Sequence, residues 1–444
     1  MTGSPLEPWI KGKIGIPAAE PLTRAALESY QLEKLRETIE YARSRSPFYG
    51  ALLQGEGGVE LASLADLARL PFTTAADLRQ DELRFLCVSQ GEVERVVTIR
   101  SSGTTAPPKR LHFTASDLEL TVDFFRHGMS GLVRPGERVL ILMPGELPGS
   151  VGDLLVRGLA RLGVEGIVHG LVRDAGLVLA EIVAREVDCL VGLPVQLLAL
   201  ARHPDASRLP EGRIRSVLLS ADYVPGAIVR ELSAVWGAAV FNHYGMTEMG
   251  LGGGVECGRL CGYHLREADL YFEVVDPESG RPLPDGEPGE VVFTTLTRRG
   301  MPLIRYRTGD LARFLPEPCP CGTALRRLER VRGRVAGELQ LAGGGRLNIA
   351  EMDEALFPLP FLLDYQAELS GHHGRDHLDV TVETTAVDGA EASLAVRRAL
   401  LEVPVLRASV ADGSLELGEV GPDAFTRTIT IKRTVLDRRK EQTC

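Results

Sequence analysis

The chain has 444 residues, too many for one ordinary core and enough for about two to four domains. Hydrophobic residues at 44% and charged residues at 25% are the composition of a packed globular protein, and a net charge of -10 with no basic block excludes a dedicated nucleic-acid binder. No apolar run approaches the ~18 residues of a membrane span, and Met1-Thr2-Gly3-Ser4-Pro5-Leu6-Glu7-Pro8 is not a signal peptide, so no membrane and a cytoplasmic location are expected.

From Leu27 to Tyr49, apolar or aromatic residues at Leu32, Leu35, Ile39, Tyr41 and Ala42 predict an amphipathic helix stopped at Ser46-Pro47. Leu64 to Leu70 predicts a short helix, Pro71 a break, and Thr74 the N-cap of a helix beginning near Ala75. Residues 1–95 thus read as a helical lead-in. The strand-like Val96-Val97-Thr98-Ile99 then delivers Ser101-Ser102-Gly103-Thr104-Thr105-Ala106-Pro107-Pro108-Lys109. Four hydroxyls around one glycine, closed by a lysine, supply converging donors and a positive charge for a phosphate. The spacing of a Walker A loop is absent, and a solvated Ser/Thr/Pro turn is the plain alternative.

Residues 96–270 read as an α/β core. Val139 to Pro144, Gly166 to Val168, Cys189 to Pro194, Arg215 to Ser220 and Ala239 to Asn242 are buried-strand patterns. Helical stretches at Gly152–Leu162, Val178–Arg185 and Ala227–Trp236 separate them. Such alternation predicts mainly parallel sheets with ligands at the strand ends, where Ser220-Ala221-Asp222 and His243 to Glu248 fall. In residues 271–334 the period drops toward two, at Tyr271–Asp276, Gly289–Thr295 and Leu311–Phe314, predicting a β-rich subdomain. From residue 335 to 444 a small mobile α+β domain is expected, opening with Glu338–Leu341, a Gly343-Gly344-Gly345 turn and a helix over Ile349–Leu356.

Seven cysteines, an odd number, fit reduced thiols or a metal better than a disulfide framework. Cys257, Cys261 and His264 read as one short loop, and Cys319-Pro320-Cys321-Gly322 as another about 60 residues later. Two such clusters of soft ligands can close a tetrahedral, structural Zn²⁺ site; buried thiols with no metal are the alternative. Cys87, Cys189 and Cys444 read as unpaired.

Four stretches carry a resemblance: Ser101 to Lys109, Tyr244-Gly245-Met246-Thr247-Glu248, Tyr306-Arg307-Thr308-Gly309-Asp310 and Arg330-Val331-Arg332-Gly333-Arg334. In this order they resemble adenylate-forming enzymes. The lead-in motifs Ser46-Pro47-Phe48-Tyr49 and Leu67 to Thr74 narrow the similarity, over nearly the whole chain, to the phenylacetate–CoA ligase group. The resemblance implies an ATP-dependent ligase. A carboxylic acid, aryl or arylacetic, is adenylated and passed to CoA, with release of AMP and pyrophosphate.

It further implies that Ser101, Ser102, Gly103, Thr104, Thr105 and Lys109 hold the β- and γ-phosphates, and that Tyr244, beside Gly245, stacks on adenine. Thr247 would bond the α-phosphate, Glu248 would hold Mg²⁺, and Asp310 would take the ribose hydroxyls. Arg334 would lie near ribose and phosphates, and Ser220, Ala221 and Asp222 on the adenine side. Members with a zinc site point to Cys257, His264, Cys319 and Cys321, with Cys261 the competing ligand. A homodimer is common in the group. Each of these residues taken singly has an ordinary reading: Glu248 a helix-start carboxylate, Asp310 a turn residue, Arg334 a surface charge, Tyr244 a core aromatic.

The sequence also departs from the family. Ala106 stands where a second glycine is usual, and the acidic hinge residue falls on Ala336, followed by Gly337. The register of the C-terminal catalytic lysine lands on Ile431, with Lys432 one residue away, and on a strand that slip reverses side-chain direction. Lys432 is the candidate adenylation lysine. Two further readings stay open at this point: an adenylating enzyme with a non-CoA acceptor, and a non-catalytic nucleotide-binding protein. The acid pocket would be lined by Met143–Gly149, Val168–Gly170 and Gly250–Gly254.

Overall fold

The computed structural model describes residues 3–54, 61–99, 107–372, 374–422, 433 and 435–441. Ser101 to Thr105, Ala106, Ile431, Lys432 and Cys444 lie outside the described residues.

Local signals account for many element ends. Thr23 caps the helix Arg24–Arg45 by accepting from the Ala26 N–H, and buried Leu27, Gln31, Leu35, Thr38, Ile39 and Ala42 form its inward stripe. Ser46 ends that helix and caps the next, Pro47–Leu52. The helix therefore stops at Ser46-Pro47 as the sequence predicts, and a new short helix begins at the proline, whose ring and missing N–H favour a first-turn position. Thr74 and Asp77 form the reciprocal capping box of the helix Ala75–Gln80.

The chain folds into two units: residues 1–170, 188–190 and 241–331, and residues 171–187, 191–240 and 332–444. In the first, the strands Arg138–Leu142 and Glu165–Val168 pair in parallel around the intervening helix Val151–Ala160. An antiparallel hairpin joins Val93–Ile99 to Lys109–Thr114, with Ile99 opposite Lys109. The β-rich part consists of Leu270–Val275, Gly289–Thr295 and Tyr306–Ala312, antiparallel in sequence order. In the second unit the buried strand Ser216–Leu219 lies among the helices Ala175–Ala184, Pro194–Ala201 and Gly226–Trp236 in sequence. Its C-terminal part has a sheet ordered Leu415–Pro422, Arg375–Thr384, Leu362–His372, Leu436–Asp437, with the helix Ile349–Leu356 preceding it. The α/β class with a β-rich region and an α+β C-terminal part is the one the sequence predicts.

Within the first unit the lead-in braces the strand Tyr306–Ala312. Arg305, 1% exposed, donates to Glu273 at 3.1 and 2.9 Å and to the carbonyls of Ala68 and Leu70 at 2.9 and 2.7 Å. Thr73 donates its N–H to the Arg305 carbonyl and its hydroxyl to that of Ile304, while the Ile304 N–H donates to the Tyr49 hydroxyl at 2.9 Å. Tyr49 and Thr73 thus act as struts: the lead-in fixes the height of the strand that carries Asp310.

Candidate functional site

The strand Ala239–Tyr244 leads into a turn, Thr247–Met249, that is shaped by close backbone approach. A Cβ added to Gly245 would lie 2.4 Å from the Leu251 carbonyl oxygen, so only glycine fits there. Gly250 and Leu251 reverse the chain at φ 73 and 66, and the left-handed conformation costs a leucine about 1–2 kcal/mol. The turn presents Glu248 inward, 2% exposed. Its Oε1 forms an ion pair with Lys109 and accepts from the Tyr306 hydroxyl at 3.2 Å, and Lys109 Nζ lies 3.4 Å from the same hydroxyl. Burial pushes the carboxyl up, but the Lys109 charge and the hydrogen bonds outweigh it and hold Glu248 below the usual carboxylate range.

Asp310 owes its place to a bulge. Glu290 opposes Leu311 and Val292 opposes Arg307, so Thr308, Gly309 and Asp310 face Val291 alone. Gly309 takes φ 76, donates to Glu290 at 3.0 Å, and Thr308 donates to the Val291 carbonyl at 2.7 Å. The extra length turns Asp310 inward, where it accepts from the Tyr244 hydroxyl at 3.1 Å. Lys109 with Glu248, and Tyr244 with Asp310, are thereby brought together from distant parts of the chain in the first unit, with Thr247 next to Glu248 in sequence. Tyr306 joins them; it stood within a quoted motif but carried no assigned role.

In the second unit Ser220 follows the strand Ser216–Leu219 and Ala221 takes φ 74. Asp222 accepts the Tyr223 N–H at 2.9 Å and the Arg433 N–H at 3.4 Å. Arg433 reaches Asp353 at 2.6 Å, Asp222 at 3.5 Å and Asp364 at 3.8 Å, and lies over the Phe357 ring, 4.6 Å from its centroid. Sequence reasoning passed over Arg433; its one signal is its position beside Lys432. Arg334 is exposed in the short strand Gly333–Arg334, and Ala336 and Gly337 lie in the single turn Val335–Gly337.

Cys257, His264, Cys319 and Cys321 are buried, and their ligand atoms all lie within 4.8 Å of one another. His264 stands in the strand Tyr263–Leu265 rather than in a loop, and so is rigidly aimed. The Cys257 and Cys319 sulfurs are 3.8 Å apart and His264 Nε2 is 3.6 Å from the Cys321 sulfur. A tetrahedron built on Zn–S bonds of about 2.3 Å has edges of about 3.8 Å, so the donor set fits that ion. Cys261, only half-buried, lies 3.9 Å from Cys319 and takes a hydrogen bond from Arg327 at 3.1 Å.

A family model described as AMP-binding enzyme matches residues 75–296. The chain is 32% identical over 381 residues to the phenylacetate–coenzyme A ligase of Thermus thermophilus, covering 83% of this chain and 84% of the relative. It is 29% identical over 382 residues to the enzyme of that name from Escherichia coli (strain K12), covering 80% and 82%. Among solved structures, 2-hydroxyisobutyryl-CoA ligase in the postadenylation state superposes with a TM-score of 0.80 at 22% identity, covering 96% of this chain and 94% of that one, a likeness of fold.

Proposed function

The chain belongs to the AMP-binding enzymes of the phenylacetate–CoA ligase family, and from that premise we propose the following division of labour for its residues. The enzyme is an AMP-forming acid–CoA ligase. The carboxylate of the acid attacks the α-phosphorus of ATP, pyrophosphate leaves, and the CoA thiol then displaces AMP from the acyl-adenylate. Little covalent chemistry falls to the protein, so positioning and charge neutralisation supply the rate.

The observation that carries the reading is the assembly of Lys109, Glu248, Tyr306, Asp310 and Tyr244 in one unit. Lys109, with Ser101 to Thr105, holds the β- and γ-phosphates. Tyr244, beside Gly245, stacks on adenine, and Ser220, Ala221 and Asp222 stand at the positions of the family's adenine-side loop; Thr247 bonds the α-phosphate and Asp310 accepts both ribose hydroxyls. Arg334 contacts ribose and phosphates, and Lys432 serves adenylation. Glu248 would hold Mg²⁺, for which an acceptor-only oxygen is suited, and the ion would neutralise phosphate charge. Phosphates that draw Lys109 away would free the Glu248 oxygen for this task. Cys257, His264, Cys319 and Cys321 would hold a structural Zn²⁺, with Cys261 beside them.

We assign the functional boundary to residue 334, the acid to the aryl or arylacetic class, which includes the phenylacetate in the relatives' names, the assembly to a homodimer and the location to the cytoplasm, where ATP and CoA are supplied. Among the described residues no helix is long and apolar enough to cross a membrane. The test is pyrophosphate release with ATP, Mg²⁺ and a panel of aryl and aliphatic acids, with and without CoA. Release that requires one aryl acid and turns over only with CoA is expected; nucleotide binding without release for any acid would overturn the assignment. Metal analysis of gently purified protein is expected to give about one Zn per chain, and chelation to lower the melting temperature; less than half an equivalent removes the zinc site.

A further inference from the structure

Arg298, Arg299 and Gly300 connect the strands Gly289–Thr295 and Tyr306–Ala312, and no motif marks them. We infer that Arg298 is a positioning residue for Glu248, an inference that rests on the Mg²⁺ role proposed for that carboxylate. Arg298 is 6% exposed, and its Nη1 donates to the Glu248 carbonyl oxygen at 2.8 Å. Its guanidinium lies over the Phe113 ring, 4.4 Å from the centroid. Phe113 stands on the strand Lys109–Thr114, which begins with the Glu248 partner. One buried cation therefore spans the strand that carries Lys109 and the turn that carries Glu248.

The connection itself is held in place. The Arg299 and Gly300 N–H groups donate to Asp117 at 2.8 and 2.9 Å, which ties it to the helix Ala115–Met129. Packing alone does not fix the turn from below. A cavity of about 20 Å³ lies there, bounded by Asp117, Thr121, Met249, Gly250 and Arg298. Directional bonds do that work: Arg298 to the Glu248 carbonyl, and the Thr121 hydroxyl to the Gly250 carbonyl at 2.8 Å. Residues that orient a metal-binding side chain typically change affinity or rate by about 10–100-fold when removed.

The experiment compares wild type with Arg298→Met, Arg298→Lys and Glu248→Gln. For each, the Kd of a non-hydrolysable ATP analogue is measured by calorimetry in Mg²⁺ and in EDTA, and pyrophosphate release is followed alongside. Mg²⁺ is expected to tighten binding to wild type, and Arg298→Met to cut that tightening roughly 10-fold or more, with adenylation slowed by a similar factor. Arg298→Lys, which keeps a buried donor and charge, is expected to fall between the two. A merely structural arginine would lower the yield of folded protein and leave the Mg²⁺ effect at its wild-type value, which overturns the inference. If Arg298→Met does not fold, an unchanged Mg²⁺ effect in Arg298→Lys overturns it equally. Loss of the effect in Glu248→Gln but in neither Arg298 variant removes only the positioning role. An unchanged effect in Glu248→Gln removes the Mg²⁺ reading and the inference with it.

Discussion

A buried carboxylate in each unit, Asp269 in the first and Asp353 in the second, is paired with arginine, and the two clusters are built in opposite ways. In the first, Asp269 is 3% exposed and has two cations to itself: Lys13 in an ion pair and Arg266 at 2.8 Å, with the Thr297 hydroxyl at 2.7 Å. In the second, Asp353 is 1% exposed and, among the described residues, shares one cation, Arg433, with Asp222 and Asp364, while the Tyr365 hydroxyl donates to it. Burial pushes both carboxyls up. Two cations overcome that for Asp269, which is held below its ordinary value of 3.8. One shared cation does not for Asp353, which is pushed up to about 7 against the pull of Arg433 and Tyr365. The ratio of cations to carboxylates decides the outcome more than depth of burial does.

The harshest way to break the comparison is to remove a cation from each side. Arg433→Met removes the cation paired with Asp353 and is expected to destabilise the second unit by about 3–5 kcal/mol. Lys13→Met leaves Arg266 on Asp269, and the expected loss in the first unit is about 1.5–3 kcal/mol. Denaturant melts followed by amide exchange, read separately in the helix Ile349–Leu356 and the strand Leu270–Val275, distinguish the two. Equal losses would show that Arg433 is not the sole compensation.

A smaller effect sharpens the contrast through pH. The raised Asp353 binds a proton in the folded state that it lacks in the unfolded state between about pH 4 and 7, so its contribution falls as pH rises through that window. The lowered Asp269 contributes stability that is fully present above about pH 4 and is lost only as pH falls below 3.8. Protection of Ile349–Leu356, corrected for intrinsic exchange, is therefore expected to decline from pH 4.5 to pH 7 and to become flat in Asp353→Asn. A flat profile in the wild type would sink this reading.

Much of this architecture was legible in the chain itself. The Thr74 cap, the proline after Ser46 and the run Gly289 to Thr295 act over a few residues, and such signals survive without tertiary context. The cysteine and histidine spacing likewise brought five candidate side chains into view, and four of them, Cys257, His264, Cys319 and Cys321, converge. Arg298 and Arg433 were not legible, because an arginine is ordinarily a surface residue and nothing nearby in sequence says what lies across from it. The inward turn of Asp310 was hidden for a similar reason, since a bulge exists only relative to a partner strand.

By itself, then, the sequence determined the element types, the glycine at position 245 that the motif requires, and which side chains are candidates for nucleotide chemistry, all properties of short range or of residue type. Tertiary structure alone decided which charges share a partner, how Lys109 and Tyr306 meet on Glu248, and how the lead-in supports the strand of Asp310. Those depend on contacts across more than a hundred residues of chain in several cases, such as Lys109 with Glu248, and the cost of burying a charge is set by what the fold brings beside it.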